Sequence, residues 1–183
     1  KVEAQSGFRF QLHHCCNAGG IASYPEWAWD MVRCGIILYG SGDLAEKMGM
    51  QPVMSLKTRV ATIKDFAAGE PISYGRTYFT QRPIGYADGL HRALSNQIEV
   101  LTPYGRAKQV GRICMDMCMI DVTDLPQVKS GDEVEIFGEH ILCADDAALC
   151  DTIPYELMCA VSKRVPRVYR LNGVPVDKNL RPL

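Results

Sequence analysis

The sequence predicts two parts in tandem: an α/β segment over residues 1–50 and a mostly β domain over 51–183. Two observations predict this. The first fifty residues run in a strand, loop, helix, strand rhythm, and after Gln51 come short apolar runs of strand length separated by turn-forming residues.

In order, Phe8 to His14 (FRFQLHH) alternates as a strand does, and Asn17 to Gly20 breaks the pattern. Ser23 to Val32 fits a short helix, with Ser23 as its cap and Pro25 just inside its start. Gly35 to Tyr39 (GIILY) is a continuous apolar run between glycines, which suits a strand buried on both faces. Such a βαβ unit belongs to a (β/α) barrel or a doubly wound sheet. The β domain is predicted from Met54–Ile63, Ile98–Leu101, Gln109–Cys114, Met117–Val122 and Glu133–Phe137. Ala68 to Pro71, Pro103 to Gly105 and Ser130 to Asp132 supply the turns. Helices are expected over Ala144–Cys150 and Pro154–Val161, and a fraying tail from Asn172.

With 183 residues, 47% hydrophobic and 22% charged, the composition is that of a soluble globular protein. A net charge of -1 offers no attraction to nucleic acid or to an anionic membrane. No apolar run reaches the roughly 18 residues of a membrane helix, and no leader precedes Phe8, so the expected location is cytoplasmic. The eight cysteines form no CxxC pair, and several lie in apolar runs such as RCGIILYG and RICMDMCMI. They read as small buried hydrophobes, with no metal site expected.

Six motifs add chemistry to this outline: HHCCNAGG, MVRCGIILYG, ISYGRTY, PIGYADGL, VGRICMDMCMIDV and DTIPYELMCAVSKRVPRVY. One of them, such as GYADG, would carry little weight. All six in one order, spanning Phe10 to Tyr169, resemble the alanine racemase family. The resemblance implies the tail of a (β/α)8 barrel, a mostly β C-terminal domain and the cofactor pyridoxal 5'-phosphate (PLP). It also implies a homodimer with composite active sites, acting on a small amino acid and supplying D-alanine for peptidoglycan.

The resemblance gives each residue a role. Arg33 would donate to the pyridine nitrogen of PLP. A guanidinium does not give up its proton, so the ring stays a weak electron sink, which favours racemisation over other outcomes. His14 would hold that arginine in plane. Asn17, Ala18, Gly35, Ile36 and Tyr155 would surround the cofactor phosphate. Tyr74 would exchange a proton with one face of the substrate Cα, opposite a lysine that also links the cofactor. A phenol with a pKa near 10 is a poor base, so neighbouring positive charge must lower it. Tyr86 and Met115 would line substrate access and the carboxylate site, reaching with Tyr74 into the partner subunit. Without the motifs these residues read as structural: Arg33 ending a helix, His14 in a core, Asn17 and Asp116 in turns, Tyr74 and Tyr155 as packed aromatics.

Three departures stand out. Ala18 occupies the place where the family usually has serine, which removes one hydroxyl donor to the phosphate. The catalytic lysine of a KADAYGHG-like motif is absent, so the chain reads as the C-terminal portion of a longer enzyme, inactive by itself. Between Tyr78 and Pro83, FTQRP stands where the family has a further short apolar strand. A serine racemase of the same family, or a non-catalytic β domain that only dimerises, are the competing readings.

Overall fold

A computed structural model describes residues 2–65, 80–82 and 84–177, leaving aside the side chains of 80–82. The β domain organises around one six-stranded antiparallel sheet. Its strands are β1 (Leu56–Arg59), β2 (Thr80–Arg82), β3 (Glu99–Thr102), β4 (Gly105–Val110), β5 (Cys118–Ile120) and β6 (Glu133–Phe137). Across the sheet their order is β1-β6-β3-β4-β5-β2. The expected runs at 54–63, 117–122 and 133–137 each contain one of these strands, and the run at 98–101 overlaps β3, which extends one residue further. The run expected at 109–114 is displaced: β4 begins at Gly105, three residues after Thr102, and ends before Gly111, whose φ is +76°.

β6 shows how the sheet is built. Val134 and Ile136 are fully buried, each contributing about 1.5–3 kcal/mol of apolar transfer. Between them lies Glu135, 6% exposed, whose carboxylate accepts the N–H groups of His140 at 2.9 Å and Ile141 at 3.3 Å. A buried charge is tolerated there because backbone donors replace water. Both sheet edges are short and polar in sequence, LKTR in β1 and TQR in β2, which discourages pairing with a further strand. β2 answers the question raised by FTQRP: this segment itself supplies a strand, antiparallel to β5 with Gln81 opposite Met119.

Helices α1 (Val2–Ser6), α2 (Ala18–Ser23) and α3 (Asp43–Lys47) precede the sheet. After it, α4 (Cys143–Leu149) and α5 (Pro154–Ala160) fall within a residue of expectation and pack on each other through Ala147 and Leu157 among other core residues. Asp146 of α4 is 3% exposed and its Oδ2 has no partner; burial, reinforced by neighbouring Asp145, pushes its pKa to about 7. Among the described residues no helix is long and apolar enough to cross a membrane.

Four expectations need correction. Phe8–His14 forms no strand; the adjoining backbone is tied instead to residues 30–33, where Asp30 N–H donates to the His13 carbonyl and Arg33 N–H to that of Cys16. The helix expected over 23–32 lies earlier. Asn17 caps α2 by accepting the Gly20 N–H at 3.0 Å, and Tyr24, held out of the helical region before Pro25, ends it. A 3-10 turn over Pro25–Trp27 follows. Gly35–Tyr39 is a 3-10 helix rather than a strand, because Gly35 and Gly40 both take left-handed backbone (φ +56° and +64°) and close tight turns. An apolar run alone does not separate the two. Finally, the tail is a hairpin: β7 (Tyr169–Leu171) and β8 (Val174–Val176) join through Asn172-Gly173, both at positive φ, as a two-residue primed turn requires.

Candidate active site

Two clusters carry the residues singled out from sequence. The first surrounds the start of the 3-10 helix. The hydrogen-bonded ladder there begins with the N–H of Ile37, leaving the N–H groups of Gly35 and Ile36 outside it. Tyr155, second residue of α5, brings its hydroxyl to the same place: a Cβ on Gly35 would stand 2.7 Å from it. Glycine is needed there twice over, for its φ of +56° and for that space. Tyr39 packs edge-on against the Tyr155 ring at 6.2 Å and holds it. Gly35, with Ile36 next to it in the chain, and Tyr155 are thus brought together, so that two amide donors and a hydroxyl share one neighbourhood. That donor set fits an anionic group such as a phosphate.

Asn17 spends its side chain on capping α2, and Ala18 begins that helix. Arg33 is exposed, and its Nη2 donates to the Cys15 carbonyl at 3.0 Å. His14 is exposed as well and makes no hydrogen bond to Arg33. The histidine with partners is His13, to which the alternation in FRFQLHH gave no role. Its ring bonds Asp30 at 3.0 Å and Glu3 at 3.1 Å, and these two bonds raise its pKa while the two carboxyls are correspondingly lowered.

The second cluster joins PIGYADGL, RICMDM and SKRVPR. Tyr86 N–H donates to the Cys114 carbonyl at 2.9 Å, and Ala87 N–H to that of Met115 at 3.0 Å. The approach is close enough that a Cβ on Gly85 would stand 2.2 Å from the Cys114 oxygen, so only glycine fits. Asp88 folds back so that its Oδ2 accepts the Gly85 N–H at 2.9 Å. Its Oδ1 accepts from Arg164 Nε at 2.7 Å, and Arg164 Nη2 donates to Asp116 at 2.5 Å. The two carboxylates, Asp88 first, push the already high pKa of this guanidinium further up. Tyr86 and Met115 remain 44% and 54% exposed. Sequence reasoning missed Arg164; the signal was two acidic residues in separate motifs and an arginine in a third.

Tyr74 lies outside the described residues. None of the eight cysteines is in a disulfide; Cys16, Cys118 and Cys143 are buried, and burial pushes the Cys143 pKa up to about 12. Among the described residues no three His, Cys, Asp or Glu side chains are grouped to hold a metal ion.

Comparison with known proteins bears on this geometry. Residues 53–169 match the family described as alanine racemase, C-terminal domain. An alanine racemase of Desulfovibrio desulfuricans is 50% identical over 179 residues, covering 92% of this chain and 48% of that protein. Alanine racemase 1 of Clostridium acetobutylicum is 44% identical, again covering 92% of this chain and 48% of the relative. Among solved structures, the alanine racemase of Clostridium difficile 630 in complex with cycloserine superposes with a TM-score of 0.88 at 37% identity, over 96% of this chain and 50% of that one. The chain therefore spans about half the length of the relatives it matches. With its mostly β domain and its matched motifs, this chain belongs to the alanine racemase family.

Proposed function

We propose that this chain is the C-terminal portion of a PLP-dependent enzyme that interconverts L- and D-alanine, working as a homodimer in the cytoplasm and supplying D-alanine to peptidoglycan. The observation that carries the reading is the Gly35, Ile36 and Tyr155 cradle, set among motifs whose relatives are alanine racemases. Residues 1–50 then belong to the cofactor-binding barrel and 51–183 to the C-terminal domain.

The roles divide as follows. Gly35 and Ile36 N–H groups and the Tyr155 hydroxyl hold the phosphate, with the Asn17–Ala18 backbone beside them. Lacking the family's hydroxyl at Ala18, the site leans more on amides. Arg33 would face the ring nitrogen and keep its own proton. What PLP held there would supply is an electron sink that loosens the hydrogen on Cα of the amino acid. Tyr74 moves that proton on one face of Cα, and a lysine upstream of this chain serves the other. Tyr86 and Met115 reach the partner subunit's pocket and steady the substrate carboxylate.

The test is the polypeptide that carries this chain together with its upstream half. It is expected to racemise alanine, and a Tyr74→Phe variant should lose about 100-fold or more of its Cα proton exchange with solvent on one face only. Equal exchange in variant and parent would remove Tyr74 from the mechanism. Higher kcat/KM for serine than for alanine would move the substrate assignment to serine, since an apolar pocket discriminates an added hydroxyl weakly.

A further inference from the structure

The bridge made by Arg164 joins three distant stretches of chain. The guanidinium spans 76 residues to Asp88 and 48 to Asp116, and Asp88 passes the connection on to the Gly85 N–H. The loop that carries Arg164 is itself anchored. Arg167 donates to the carbonyls of Val161, Ser162 and Val165 at 2.8, 2.5 and 2.6 Å, and the Ser162 N–H donates to the Asp88 carbonyl at 3.0 Å. Guanidinium is suited to the task because one planar fork points two N–H groups at two separate carboxylates; an ammonium is a point charge without that directionality.

The bridge does little for the core. Arg164 and Asp116 are 46% and 56% exposed, where ion pairs are screened and add little stability. What the bridge does control is local geometry. It closes a ring from Arg164 through Asp88, the Tyr86 turn, the Cys114–Met115 carbonyls and Asp116 back to Arg164. The side chains of Tyr86 and Met115 stay outside this ring and free to meet a ligand.

We propose that Arg164 is a positioning residue: by bridging Asp88 and Asp116 it fixes the spacing between the Tyr86 turn and the Met115 loop, and so sets how tightly the amino-acid substrate is held without touching it. This rests on the functional reading above.

The test uses the complete PLP-loaded protein. Arg164→Gln is expected to raise KM for alanine about tenfold or more and to change kcat less than about threefold. Arg164→Lys should recover part of the loss. Asp116→Asn should raise KM in the same direction, and the double variant Arg164→Gln with Asp116→Asn should be no worse than Arg164→Gln alone, because both break one ring. Independently of turnover, amide hydrogen exchange at Gly85, Tyr86 and Ala87 should speed up in Arg164→Gln. A KM within about twofold of the parent overturns the proposal, as does a fall in kcat alone. Unchanged exchange at residues 85–87 also overturns it. Should Arg164→Gln fail to fold, Arg164→Lys and Asp116→Asn are read by the same criteria. A parent protein that does not racemise overturns the functional reading instead, and the exchange measurement still decides whether the ring positions the loops.

Discussion

The segment before residue 51 and the β domain after it treat their apolar residues in opposite ways. In the first, only Cys16, Ile37 and Ala45 are buried hydrophobics among the described residues, while Phe8, Phe10 and Trp29 are 61%, 48% and 64% exposed. In the second, a continuous core runs from Leu56 to Val161 through Val100, Val134 and Ile136. The β domain carries its own interior. The first segment has the surface of something meant to be covered. The proposed phosphate cradle draws on both, its glycine turn from the first and Tyr155 from the second. Holding that cradle together is therefore a matter of docking as much as of folding.

The sharpest way to break this comparison is to hollow out each side. Ile136→Ala should cost about 2–5 kcal/mol in denaturant unfolding of the 183-residue chain, and Phe10→Ala close to nothing. Similar losses from both would mean that the first segment has a core of its own. Next in size is Asp146. Its carboxyl is held near 7 in the folded chain against 3.8 when exposed, so the fold favours the protonated form. Stability is then fullest below about pH 4 and falls as pH rises towards 7, by at most about 4 kcal/mol. Asp146→Asn should raise Tm at pH 8 and leave it unchanged at pH 4; a rise of equal size at both would refute the assignment.

Gly35→Ala tests the junction itself. Its Cβ meets the Tyr155 hydroxyl and its φ of +56° strains an L side chain, so PLP affinity of the complete protein should drop about tenfold or more. The β domain's own unfolding midpoint should stay within experimental scatter. Smallest is His13. Bonds to Asp30 and Glu3 raise its pKa, so the tie it makes between Glu3 and Asp30 inside the first segment is strongest below about pH 6.5 and is released as pH rises through the elevated value. Backbone amides of residues 13–16 should exchange faster at pH 8 than at pH 6 after correction for intrinsic rates.

The β domain was legible because its elements follow local rules: Val134-Glu135-Ile136 alternates, and Ser130-Gly131-Asp132 turns the chain before it. The first segment was not. Local pattern reads Gly35–Tyr39 as a strand, yet two left-handed glycines wind it into a 3-10 helix. The Asn172-Gly173 hairpin was readable and was passed over as a tail. At the site, Gly35 lies against the Tyr155 hydroxyl, whereas His14 and Arg33 do not bond. Arg164 left no local pattern because its carboxylates lie 76 and 48 residues away, and no periodicity encodes contacts at that range.

Helix α5 has one more consequence. Tyr155 sits in its first turn and Arg164 just past its end, so about 10 Å of stiff rod joins cradle and ring. A seesaw tilt of about 10° about its middle would swing each end by about 1 Å in opposite senses. Repacking Leu157, the buried fulcrum, would thus detune both grips at once, and the two would have to evolve as a pair.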